Sequence, residues 1–294
     1  MLRKCPNPIC ALPELVNRDG KFRRKDDSKI IQRFKCKNCG KRFSHATFSD
    51  AYRQKRRRIN FTLVKLLASG VSLRRSAVIL GVNRRTIERK LPFLANRCRR
   101  LNFTNMSQLK GRVFNIQIDD LITKENSKLK PLSVSIAVDE DRRTILATEV
   151  SQIPAFGHLS RMAVQKYGLR RDELDQGLTR VFEKLKPLVT DEAIFKSDDH
   201  QRYPRFISKY FPRACHLTFK SERACIAGQG ELKKVHFDPL FAINHTCALL
   251  RANVNRLIRK TWCTTKCPTR LKDHLDIFVF FHNKQILSKY LTPL

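Results

Sequence analysis

Long apolar runs are the first thing this sequence lacks. None of its 294 residues lie in a stretch approaching the roughly 18 to 20 uninterrupted apolar positions needed to span a bilayer, and the longest contender, 275–281, contains Asp276. The opening residues, Met1-Leu2-Arg3-Lys4-Cys5, have no apolar core of a secretion signal. Both absences argue against membrane residence and predict a cytoplasmic protein. Glycine and proline are scarce, 10 and 12, beside 41% hydrophobic residues. That excludes a collagen-like or broadly disordered chain and leaves room for one large domain or two to three small ones. Acid is the remaining deficit: 26 Asp and Glu stand against 60 Lys and Arg, a formal net charge of +34. Solubility requires far less than this, so a polyanionic partner is expected.

The excess is uneven. Residues 1–110 hold 29 basic and 6 acidic side chains, +23 of the +34. Beyond Lys110-Gly111 the charge thins and apolar alternation begins, so a boundary falls at roughly 105 to 112. The expected organisation is a small metal ribbon over 1–50, an all-α DNA-binding segment over 51–108, and an α/β domain over 109–294.

Ten cysteines in a reducing compartment read as metal ligands plus scattered thiols. Cys5 and Cys10 form a Cys-x4-Cys pair, and Cys36 and Cys39 a Cys-x2-Cys pair, with Gly40 directly after the second knuckle. Two short loops that each aim two sulfurs at one ion are the pattern of a four-thiolate zinc ribbon. His45 lies close behind and reads as a surface side chain. Cys98, Cys215, Cys225, Cys247, Cys263 and Cys267 read as core or surface thiols.

From Asn60 a helical face of Phe61, Val64, Leu67 and Ala68 ends at Gly70, and Ser72 caps a second helix. Gly81-Val82-Asn83 then turns into Arg84-Arg85-Thr86-Ile87-Glu88-Arg89-Lys90-Leu91, a helix-turn-helix arrangement. In it Arg84, Arg85, Arg89 and Lys90 are expected to be exposed towards a major groove, with Ile87 and Leu91 packed inward. Pro92 is expected to stop or kink this helix.

Residues 112–120 read as a strand closed by Asp119-Asp120, with Phe114, Ile116, Ile118 and Asp120 on one face and Asn115, Gln117 and Asp119 on the other. Strands over 132–138 and 144–153 extend it as a meander. A helix over 171–188 leads to a strand over 193–197 that ends in Asp198-Asp199, so the sheet is α/β. Carboxylates that converge at strand ends repel unless a cation lies between them, and a hard divalent metal is the natural one. A helix is expected from Asp238-Pro239 to about Trp262, carrying Asn244, Arg251, Asn255 and Arg259 in one polar stripe. A last helix is expected over 268–281.

At these residues the chain resembles transposases of the insertion-sequence 1 family. The carriers are the ribbon cysteines, Gly81-Val82-Asn83-Arg84-Arg85-Thr86, Ile118-Asp119-Asp120-Leu121, Lys130-Pro131-Leu132-Ser133-Val134, Ser197-Asp198, Gly228-Gln229-Gly230-Glu231 and Asn244-His245-Thr246-Cys247-Ala248-Leu249-Leu250-Arg251. The resemblance implies a ribonuclease-H-like mixed sheet whose two aspartates and one glutamate hold Mg²⁺ or Mn²⁺, acting on double-stranded DNA as a homo-oligomer associated with the nucleoid. Its aspartates fall on Asp119 and Asp198. Its glutamate falls on Asn244, which brings a carbonyl ligand but no charge, and Asp238 and Glu231 are the alternative acids. Arg251, Arg259 and Lys260 are the expected phosphate contacts. The competing expectation is a catalytically silent, sequence-specific DNA-binding regulator derived from such an enzyme.

Overall fold

The computed structural model describes residues 4–25, 27–220, 238–258 and 263–291. The chain divides into two compact units, 1–61 and 62–294. The first is a three-stranded antiparallel sheet of β1 (Val16–Arg23), β2 (Ile30–Cys36) and β3 (Arg42–Ser44). Its hydrophobic centre is small. Phe34 and Phe43 pair across β2 and β3 with ring centroids 5.7 Å apart, and His45 sets its ring edge on Phe34 while staying exposed. A core of this size buries too little apolar surface to hold a unit of about 60 residues firmly without help from another source.

The second unit is a mixed α/β domain. It opens on α1 (Asn60–Ala68), α2 (Leu73–Ile79) and α3 (Arg84–Met106). Ser72 Oγ accepts the Arg75 amide at the start of α2, the expected cap, and Asn83 Oδ1 accepts the Arg85 amide, so the last residue of the turn caps α3 as well. Pro92 does not stop α3, which runs on to Met106. The lost backbone hydrogen bond is outweighed by tertiary packing: Ile87, Leu91, Leu94, Ala95 and Cys98 form one buried stripe on both sides of the proline. The helix also lies along α8 (Pro268–Leu291). Arg99 Nε meets Asp276 Oδ2 at 3.0 Å, and Asn283 Nδ2 donates to Asn102 Oδ1 at 2.9 Å. The α8 helix continues ten residues past the expected end at Phe281. Asn283, fully buried, also bonds both the amide and the carbonyl of Ile145, fixing the start of a strand.

A five-stranded sheet has the order β6-β5-β4-β7-β8, built from β4 (Val113–Glu125), β5 (Ser127–Asp139), β6 (Ile145–Gln152), β7 (Val189–Ser197) and β8 (Cys215–Thr218). The first three form an antiparallel meander, and β7 and β8 join parallel to β4. Helix α5 (Leu174–Leu185) provides the crossover to β7, preceded by a short α4 (Leu159–Tyr167) that the apolar pattern did not reveal, and α6 (Tyr203–Tyr210) crosses to β8. On one face Leu178, Val181 and Phe182 of α5 and Phe206 and Ile207 of α6 pack over Ile116, Ile118 and Phe195. On the other, Ile243, Cys247 and Leu250 of α7 (Phe241–Asn253) and Leu271, Leu275 and Phe278 of α8 pack over Leu121, Val134 and Ile136.

Strand β4 is not closed by its two aspartates. Pairing with β5 continues past Asp119↔Ile136 and Asp120↔Ser135 to Lys124↔Pro131. A strand interior tolerates Asp120 because its carboxylate accepts from Ser133 (2.6 Å), Ser135 (2.5 Å) and Tyr203 (2.7 Å).

On α8, His274 is 3% exposed and its Nε2 has no hydrogen-bond partner. Burial, aided by the charge of Arg256, pushes its pKa down to about 3. Such a group binds a proton in the unfolded chain below pH 6.5 and not in the fold, so stability is present above that pH and is lost as pH falls towards 3. This one group is expected to cost about 2 kcal/mol between pH 7 and pH 5. Denaturant melts at the two pH values check it, with His274→Leu removing that share of the difference.

Candidate functional site

In the first unit the four expected cysteines come together. Cys36 closes β2, Gly40 turns the chain at φ +69° and returns its amide to the Cys36 carbonyl, and Cys5 is anchored through its own amide to Pro13 O. The Cys5 and Cys39 sulfurs lie 3.5 Å apart and those of Cys10 and Cys36 3.6 Å apart, and all four fall within 4.8 Å of one another. Sulfurs at about 2.3 Å around a tetrahedral ion stand roughly 3.8 Å from each other, so this set could hold a metal ion without rearrangement. Burial pushes the Cys5 thiol up to about 12, while the Lys41 amide leads in drawing Cys39 down to about 6. His45 is not part of the cluster.

The second site lies on the α7 side of the five-stranded sheet. The parallel register sets Ile118 beside Ser197, so Asp119 comes next on β4 and Asp198 directly follows the end of β7. Leu121 packs under α7, and by alternation Asp119 and Gln117 share its face. Gln117 fastens the helix to the strand: its Nε2 donates to Pro239 O and its Oε1 accepts the Ile243 amide, both at 2.9 Å. Its position on the strand was anticipated, but this role was not, because it depends on where a helix more than 120 residues later docks.

The two carboxylates strain against each other and against burial. Asp119 is pushed up to about 7, chiefly by desolvation and then by the charge of Asp198, although the Asp120 amide donates to its Oδ1 at 2.7 Å. Asp198 is also raised, first by desolvation and also by the charges of Asp120 and Asp199, against the lowering charge and amide of His200. Its Oδ1 is buried with no hydrogen-bond partner. An orphaned, desolvated carboxylate oxygen beside a second carboxylate is a donor set that suits a hard divalent cation.

Helix α7 supplies the remaining groups, but it is shorter than expected. It starts at Phe241 and ends at Asn253 rather than Trp262, because Val254 turns extended while Asn255 donates to Gly70 O and Arg256 to Thr264 O. Asn255 therefore leaves the helical stripe. Asn244, Cys247 and Arg251 remain on one side at helical spacing, and the charge of Arg251 acts on Asp119. Asp238 precedes the helix; its Oδ1 accepts the Leu240 amide and its Oδ2 accepts Asn244 Nδ2, each at 2.9 Å. Two of the three expected candidates for the third ligand, Asp238 and Asn244, are thus bonded to one another. Glu231, Arg259 and Lys260 lie outside the described residues. Among the described residues, the cysteine cluster is the one group of three or more Cys, His, Asp or Glu ligand atoms this close together.

On α3, Arg84, Arg85 and Arg89 are exposed, and Arg84 pairs with Glu88 at 2.7 Å. Lys90 is not on that surface. It is 3% exposed, because it stands three residues after Ile87 and one before Leu91, on the side of the helix that packs inward. No described helix is long and apolar enough to cross a membrane. No protein-family model matches the chain, and neither does any curated protein.

Proposed function

We propose that the chain is a DNA transposase that binds the ends of a mobile element and carries out metal-dependent strand cleavage and transfer through a ribonuclease-H-like domain. The observation that carries this reading is the parallel pairing of β4 with β7 up to Ile118 and Ser197, after which Asp119 and Asp198 follow; both are desolvated, the charge of Asp198 acts on Asp119, and Asp198 has an orphaned oxygen. A meander continued by two parallel strands across helices, with acids on its first and fourth strands, supports the fold assignment. Mg²⁺ or Mn²⁺ bound there would neutralise the carboxylates and polarise the scissile phosphate. Asp119 and Asp198 are the ligands, and Asn244 lends a carbonyl that Asp238 orients. Arg251, whose charge acts on Asp119, is the cation proposed to hold the phosphate.

Arg84, Arg85 and Arg89 supply the exposed basic edge for a major groove, and the cysteine cluster takes Zn²⁺, as four thiolates favour. Two element ends must meet in one complex, which calls for a homo-oligomer on double-stranded DNA. With so many phosphate contacts, affinity falls steeply as salt rises.

The test is to incubate the full chain with duplexes made from the sequence that flanks its reading frame on either side, with Mg²⁺ or Mn²⁺. Metal-dependent nicking is expected. If Asp238 orients Asn244, then Asp238→Asn and Asn244→Ala each slow nicking by about 10- to 100-fold without weakening duplex binding. Unchanged nicking in Asp238→Asn removes it from the site.

One observation favours a second reading, a catalytically silent DNA-binding regulator: among the described residues no third acid joins Asp119 and Asp198. Tight duplex binding with no nicking in either metal decides for it.

A further inference from the structure

Beyond the acid pair, the α7 side of the sheet opens into a cavity of about 300 Å³. Ile122, Thr123 and Lys124 of β4 line the cavity, so it begins about 10 Å from Asp119 along the strand. Arg251 belongs to both places, since it lines the cavity and its charge acts on Asp119. The walls are fixed. Glu125 bridges to Thr265, the Asn126 amide donates to Thr265 O, and Arg256 Nη1 holds Thr264 O at 2.9 Å.

Among the described residues, four cations line it, Lys124, Lys128, Arg251 and Arg256, and no acid does. Apolar side chains line it too, among them Leu159 and Phe156, the latter 65% exposed. Arg256 is close enough to the exposed Arg84 of α3 for the two charges to act on each other, so positive charge runs from the helix proposed to read DNA to this cavity.

We propose that this cavity takes one nucleotide of the bound strand, unstacked from its neighbours, with its base against Phe156 and its phosphate among Lys124, Lys128 and Arg251. The inference rests on the DNA-transposase reading and names what the strand does beside the acid pair. Three features select a nucleotide over a bare anion: the volume, at the lower edge of ligand cavities; the pairing of an exposed aromatic with cations; and the cations' continuity with the acid pair through Arg251.

The test measures binding of the full, zinc-loaded chain to three probes: a mixed-sequence duplex, a short oligothymidine strand, and an abasic strand of the same length and charge. Oligothymidine is expected to bind about tenfold more tightly than the abasic strand. Phe156→Ala is expected to erase that preference while leaving abasic affinity and thermal melting unchanged, and Phe156→Trp to restore it. Equal affinity for the two strands in the wild type, or a loss in Phe156→Ala that is the same for both, overturns the proposal and leaves a phosphate-only surface. If the duplex is bound but Phe156 has no effect on the base preference, the cavity assignment alone fails. If none of the probes is bound, the DNA reading itself fails with it.

Discussion

Replacing Asp119 or Asp198 with Asn is expected to slow metal-dependent strand cleavage by about 10³-fold or more, with duplex affinity equal to or above that of the wild type. The split follows from the site. Both carboxylates are desolvated and beside one another, so their negative charge opposes an approaching phosphate until a cation joins them. Removing one charge eases binding and removes a ligand. A second readout needs no catalysis. Asp119 keeps its proton in the fold up to about pH 7 but loses it near 3.8 in the unfolded chain. The fold therefore binds more protons than the unfolded state across that window, and stability falls as pH rises from about 4 to about 7. Metal-free Asp119→Asn is accordingly expected to melt higher than metal-free wild type at pH 8, by an amount worth about 2 to 4 kcal/mol. Added Mn²⁺ should raise the wild type and leave the variant unmoved. Nicking assays paired with thermal melts check both halves.

The second large effect lies in the first unit. Its sheet has one small aromatic cluster, while its four sulfurs are already placed within 4.8 Å. The metal is therefore expected to supply most of its folding free energy, about 10 to 16 kcal/mol at neutral pH for a site of this kind. Cys36→Ser, or prolonged chelation of the wild type, should release one equivalent of metal and expose residues 4–61 to rapid hydrogen exchange, while the five-stranded sheet keeps its protection. Metal analysis and hydrogen exchange by mass spectrometry report this directly. Undiminished protection of β1–β3 in Cys36→Ser would mean that the unit folds on its aromatic cluster alone.

How far the sequence revealed these sites depends on the range of the interactions that build them. The cysteine cluster is legible because Cys-x4-Cys and Cys-x2-Cys are local spacings, and the cap of α2 is legible because Ser72 acts within three residues. The meander and the crossover to β7 followed from short-period alternation. Misreadings came where distant packing overrides a local rule. Pro92 reads as a helix breaker, yet the buried stripe around it carries α3 on to Met106. Asp119-Asp120 reads as a strand end, yet Ser133, Ser135 and Tyr203 satisfy Asp120 inside a continuing strand. Lys90 was assigned to the reading surface by its charge, although its place between Ile87 and Leu91 could have signalled the buried side. The long helix through Arg259 was a continuation of apolar periodicity, which Asn255 interrupts by bonding Gly70, a partner 185 residues away. The link between Asp238 and Asn244 was within reach, since each was named separately as a candidate ligand, but nothing in their spacing said that they would bond to each other.

The most direct measurement of the central claim is anomalous diffraction from crystals of the zinc-loaded chain grown with DNA and Mn²⁺. A manganese peak within ligand distance of both Asp119 and Asp198 is the expected result, and it should vanish in crystals of Asp119→Asn. Manganese bound elsewhere, with the two carboxylates turned away from each other, would contradict the account.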